Sequence, residues 1–102
     1  MKIYAKVREN VLYMELSGEI DEHTASLCRK EADKLIDEYA RCESAVFDLH
    51  CVSFMDSTGI GFLIGRYKKC TRLGISAYIT APSQTVDKIL LMSGVYTLMP
   101  KI

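Results

Sequence analysis

Val52-Ser53-Phe54-Met55-Asp56-Ser57-Thr58-Gly59-Ile60-Gly61 joins two kinds of periodicity. Downstream, Ile60, Leu63, Ile64, Tyr67 and Cys70 recur at three- and four-residue steps, which predicts a helix over Thr58–Arg72 with that face inward and Gly74 as its stop. Upstream, Ser44–Leu49 (SAVFDL) is apolar at most positions, as in a short strand buried on both faces. An acid and two hydroxyls, Asp56, Ser57 and Thr58, stand where the two meet, at the start of a helix whose first backbone N–H groups lack partners. A central strand running directly into a helix is the joint of an α/β domain.

The flanking sequence extends the same alternation. Ile75–Thr80 (ISAYIT) reads as the next strand, and Pro82-Ser83 opens a shorter helix with Val86, Ile89 and Leu90 inside and Gly94 at its end. Tyr96–Met99 reads as a last short strand. On the N-terminal side, Ile3–Val7 and Val11–Ser17 alternate with period two around Arg8-Glu9-Asn10, the pattern of a hairpin, which Gly18 closes. Asp21 is placed to cap a helix over Glu22–Cys42, with Ala25, Cys28, Ala32, Leu35, Ile36 and Tyr39 on one face. Arg29, Lys30, Asp33, Lys34, Asp37 and Glu38 form its charged opposite face. The expected fold class is therefore α/β, one domain over residues 1–102 in the order β-β-α-β-α-β-α-β, with a mixed, mostly parallel sheet covered by helices.

Composition excludes several functions. The 102 residues carry 13 basic and 13 acidic side chains, so the formal net charge is zero. That balance speaks against binding nucleic acid by phosphate neutralisation and against a polybasic membrane surface. The N-terminus is charged, and no apolar run approaches the ~20 residues of a membrane span. The expectation is a soluble, cytoplasmic protein with neither nucleic acid nor membrane as a direct partner. Cysteines at 28, 42, 51 and 70 and histidines at 23 and 50 show no C-x-x-C half-site. The spacing argues for reduced cysteines and for no metal site or cofactor.

Gly59, Gly61 and Gly65 match neither a dinucleotide fingerprint, which has two residues rather than three between its last glycines, nor a P-loop, which needs Gly-Lys-Ser/Thr. Two glycines four apart within a helix, at about 1 kcal/mol each relative to alanine, instead imply close approach by a neighbouring element or by a partner protein. Ser57 sits at a strand-to-helix turn as hydrolase nucleophiles do, yet Met55 occupies a required glycine position of the G-x-S-x-G elbow. No catalytic residue is assigned. Two readings of the junction remain. Asp56 or Ser57 caps the helix, or Ser57 accepts a phosphate that would meet free backbone donors at the positive helix end.

The segment Ser53-Phe54-Met55-Asp56-Ser57-Thr58-Gly59-Ile60-Gly61 resembles the phosphorylation motif S-[FY]-M-D-S-[ST]-G-[LI]-G of the anti-sigma factor antagonists, the bacterial STAS domains. Gly65-Arg66-Tyr67-Lys68 continues it in the manner of the sporulation branch, whose members antagonise an anti-sigma-F factor. Gly18-Glu19-Ile20-Asp21 with Thr24-Ala25 resembles the family's G-E-[IL]-D-x-x-T-A loop, and Met92-Ser93-Gly94 its third-helix ending. Family members commonly continue into another C-terminal helix, whereas this sequence ends at Ile102.

The resemblance implies a non-enzymatic partner switch. The unphosphorylated form binds an anti-sigma factor that is also a serine kinase and thereby frees a sigma factor. Phosphorylation at Ser57 ends the binding, and a metal-dependent serine phosphatase resets it. The resemblance also implies a docking surface formed by Asp21, His23, Thr24, Asp56, Thr58 and Gly59. A stress-response pathway or another signalling complex is the alternative to sporulation.

Overall fold

A computed structural model describes all 102 residues. Strands β1 (Lys2–Arg8) and β2 (Val11–Ile20) form an antiparallel hairpin that pairs Arg8 with Val11. Glu9 and Asn10 supply its two-residue turn at φ 53° and 64°, the primed geometry that matches strand twist. Helix α1 (Glu22–Glu38) leads to β3 (Ser44–Met55), α2 (Ser57–Arg72) to β4 (Ser76–Thr80), and α3 (Gln84–Ser93) follows. The sheet order is β1-β2-β3-β4, with β2, β3 and β4 parallel.

Parallel neighbours require crossovers, and α1 and α2 supply them, packing against each other over one sheet face. Leu12, Met14 and Leu16 of β2, Ala45, Phe47 and Leu49 of β3 and Ile79 of β4 are buried beneath them. Ala25, Cys28, Ala32 and Ile36 of α1 and Phe62, Leu63 and Cys70 of α2 complete this layer. Cys28 and Cys70 act as small hydrophobes, as their helical positions suggest. No helix is long and apolar enough to cross a membrane.

Helix α1 stops at Glu38, short of the expected Cys42, and the next residues turn: Ala40 N–H bonds back to Asp37 O and Cys42 N–H to Tyr39 O. Glu43 N–H donates to Asn10 and its carbonyl accepts from Ser76 N–H, which starts the β3 ladder on both sides. Strand β3 runs on to Met55 rather than ending at Leu49. In α2, Gly59, Phe62 and Arg66 are the buried residues that the helical pattern did not single out, while Ile60, Ile64 and Tyr67 pack only partly against the core. Arg66 is buried through its pairing with Asp33 of α1, Nε to Oδ1 at 2.7 Å, and its guanidinium lies over the Phe62 ring.

The expected strand at Tyr96–Met99 does not form. Gly94, at φ 79°, ends α3 and leads into a 3₁₀ turn over Val95–Thr97, so that Val95 and Met99 are buried at a four-residue step. Pro100 has no N–H to offer a ladder, and the chain meets β4 in one parallel bridge between Ile79 and Lys101 and in a hydrogen bond from Thr80 Oγ1 to Ile102 O. Asp87 fastens this segment, accepting from Tyr96 Oη at 2.6 Å and Lys101 Nζ at 2.9 Å.

Candidate partner-binding and phosphorylation site

Strands β2 and β3 end level with each other. Their register pairs Glu19 with Phe54 and Ile20 with Met55, so the next residues on the two strands are Asp21 and Asp56. Each is the N-cap of the helix that follows. Asp21 Oδ1 accepts from His23 N–H at 2.9 Å and Thr24 N–H at 3.2 Å, and Thr24 Oγ1 accepts from Asp21 N–H at 3.1 Å in a capping box. Asp56 Oδ1 accepts from Thr58 N–H at 2.9 Å and Gly59 N–H at 3.2 Å. Two helix N-termini therefore open side by side at one edge of the sheet. Hydrogen bonds from the Thr24 and His23 amides hold the Asp21 carboxyl below its ordinary range, against partial desolvation.

Between the two readings of the junction, the cap falls to Asp56. Ser57 occupies the first helical position, is exposed, and takes no part in capping. Asp56 already holds the Thr58 and Gly59 amides, so a phosphate on Ser57 would find fewer free donors than expected there. Its charge would stay at the surface, directly after the Asp56 cap.

The remaining expected residues divide by exposure. His23 is exposed, Thr58 and Asp56 are half-buried, and Thr24 is half-buried with Oγ1 donating to Glu19 O at 2.9 Å. Gly59 is buried. A Cβ there would stand 2.5 Å from Met55 Cγ and 3.0 Å from Ile20 O, so Gly59 lets α2 start against the end of β2. Gly61 and Gly65 are the reverse case. Nothing lies within 4 Å of a Cβ at either, so no element of this domain explains them.

Phe54, 47% exposed beside the junction, was quoted in the motif but not singled out as a contact residue. It stands outside the alternation because Ser53 is an extra residue in β3, between pairs Gly18–Val52 and Glu19–Phe54. Neither histidine side chain bonds to Ser57. His50 Nδ1 meets Asp48 Oδ1 at 3.1 Å and Nε2 meets Cys51 Sγ at 3.1 Å, on another part of the sheet.

Comparison with known proteins bears on the family and the fold. A profile described as the STAS domain matches residues 2–102. An anti-sigma F factor antagonist of Paenibacillus polymyxa is 35% identical over 100 residues, covering 98% of this chain and 85% of the relative. The anti-sigma-B factor antagonist of Bacillus subtilis is 28% identical, covering 92% and 84%. Among solved structures, the anti-sigma factor antagonist SpoIIAA in its unphosphorylated form superposes with TM-score 0.78 at 24% identity, over 99% of this chain and 88% of that one. The Bacillus SpoIIAA in its phosphorylated form superposes with TM-score 0.70, again at 24% identity, over 99% and 91%. Paired caps at the β2 and β3 ends, the sheet that aligns them and a match along almost the whole sequence lead to one assignment: the chain belongs to the STAS-domain family.

Proposed function

We propose that this domain is an anti-sigma factor antagonist whose docking is controlled by phosphorylation of Ser57. One observation carries the reading. Ser57 is an exposed hydroxyl on a rigid helix start, relieved of capping by Asp56 and set level with the Asp21 loop of the neighbouring strand. The names of the relatives supply the partner class: an anti-sigma factor.

The unphosphorylated domain docks this edge against an anti-sigma factor that is also a serine kinase, and a sigma factor is released. His23, Thr58, Phe54 and the glycine face of α2 form the contact surface, with Asp21 and Asp56 holding its two helix starts in place. Phosphoryl transfer from ATP needs the acceptor hydroxyl presented in line with the γ-phosphate, which a first-turn serine fixed by its helix can provide. The product adds about −1.5 to −2 charge directly after the Asp56 carboxylate. In a desolvated interface that charge costs both hydration and repulsion, and a penalty of roughly 3 kcal/mol already weakens binding more than a hundredfold. No refolding is needed. A metal-dependent serine phosphatase restores the docking form.

Sporulation is the pathway favoured by Gly65-Arg66-Tyr67-Lys68 and by the 35% identity to an anti-sigma F factor antagonist, against 28% to an anti-sigma-B factor antagonist. Genes for an anti-sigma kinase and its sigma factor beside this one would separate the two pathways. Incubation with that kinase and ATP is expected to add one phosphate, mapped by mass spectrometry to Ser57, with none added to Ser57→Ala. Undiminished labelling of Ser57→Ala would place the acceptor elsewhere.

A further inference from the structure

On the sheet face opposite α1 and α2, an irregularity in β3 gathers three metal-binding side chains. Glu15 pairs with Asp48, but the next pair is Ser17 with Cys51, so three steps on β3 match two on β2. In a regular strand, His50 and Cys51 would point to opposite faces. The extra residue re-aims them, as bulges do, and both side chains meet beside Glu15. Asp48 Oδ1 accepts from His50 N–H at 3.0 Å and so ties the bulge. Cys51 Sγ lies 3.1 Å from His50 Nε2 and 3.2 Å from Glu15 Oε1, and one donor atom from each residue falls within 4.8 Å of the other two.

We propose that Glu15, His50 and Cys51 bind a zinc ion. With Zn–S near 2.3 Å and Zn–N and Zn–O near 2.0–2.2 Å, donor atoms on one tetrahedral ion lie about 3.4–3.6 Å apart. The two short separations need to open by only a few tenths of an ångström. Asp48 accepting from His50 Nδ1–H at 3.1 Å leaves Nε2 with its lone pair directed at the ion, the carboxylate–histidine–metal arrangement common in zinc sites. One sulfur, one imidazole nitrogen and one carboxylate oxygen suit a borderline-soft ion and disfavour Mg²⁺ and Ca²⁺. Binding exchanges the Cys51 S–H bond for an S–Zn bond and releases one proton to solvent. Three protein ligands leave the fourth tetrahedral position open. The Cys and His spacing gave no sign of such a site, because its ligands come from two strands and a bulge.

The test uses the full, untagged, reduced chain freed of metal by chelation. Titration with Co²⁺ alone should produce a thiolate-to-cobalt charge-transfer band and tetrahedral d–d bands that saturate at one equivalent. Zn²⁺ should bleach them with a micromolar or tighter dissociation constant, and Mg²⁺ and Ca²⁺ should not. Cys51→Ser should abolish the charge-transfer band and weaken Zn²⁺ at least a hundredfold, and Glu15→Gln and His50→Gln at least tenfold each. Asp48→Asn, which removes no ligand, should weaken binding by roughly 10–100-fold. Absence of the band in the unaltered chain would overturn the proposal, as would its persistence in Cys51→Ser.

Discussion

Within two turns of α2, replacing glycine by alanine should change sign. Gly61 and Gly65 have open space where a Cβ would go, so each substitution removes only the backbone-entropy cost of a helical glycine. The free domain should gain about 1 kcal/mol from either, raising its melting temperature by roughly 4–8 °C. At Gly59 the added carbon meets Met55 Cγ at 2.5 Å and Ile20 O at 3.0 Å. Met55 is fully packed and Ile20 O is backbone, so neither yields freely. Overpacking costs about 1–3 kcal/mol, and in the first turn the helix gain falls short of the interior value of about 1 kcal/mol, so Gly59→Ala should be less stable by up to about 2 kcal/mol. Urea unfolding with a shared slope reads both signs, since midpoint shifts at constant slope report stability alone. A destabilised Gly61→Ala, or a Gly59→Ala as stable as the parent, would refute this reasoning. The same variants locate the partner. Gly61→Ala should also bind the anti-sigma factor more weakly despite its added stability, because the new methyl group would stand on the proposed docking face.

Two further outcomes concern the charged groups that hold the fold. Asp33→Ala leaves Arg66 buried without its partner and should cost about 2–3 kcal/mol in urea unfolding, short of the ~3–5 kcal/mol of a fully buried pair, because Asp33 remains 32% exposed. Arg66→Met in the same background should recover most of that loss. Asp87 is held below the ordinary carboxylate range by the Tyr96 hydroxyl and then by Lys101. Its ionised form favours the folded state above the unfolded pKa of 3.8, and that contribution disappears as pH falls through the lower folded value. Asp87→Asn should therefore melt below the parent at neutral pH, with the gap closing below about pH 4.

Much of this architecture was legible because it is written in local period. The alternation of Val11–Ser17 defined β2, and the apolar steps of α1 and α3 defined their buried faces. Capping was legible too, since Asp21 and Asp56 are short acids directly ahead of helical patterns. The failures lie where tertiary register overrides period. Two extra residues in β3 put His50 beside Cys51 and turned Phe54 outward, and no alternation rule places such bulges. Arg66 reads as a surface residue until Asp33 on the adjacent helix is known to meet it. Tyr96–Met99 has strand-like composition, but Gly94 starts a turn there and Pro100 closes the option of a ladder. At the site, the hydroxyl pair was visible in sequence, whereas the level ends of β2 and β3 that bring the two caps together follow only from strand pairing.

The central claim is that one phosphate at Ser57, in a domain of zero net charge, controls docking without refolding. It is tested most directly by titrating unphosphorylated and stoichiometrically Ser57-phosphorylated domain into the same anti-sigma factor, with circular dichroism and melting recorded for both forms. Matching spectra and similar melting temperatures are expected, with affinity lower by a hundredfold or more for the phosphorylated form. Equal affinities, or a loss of binding accompanied by unfolding of the phosphorylated domain, would contradict it.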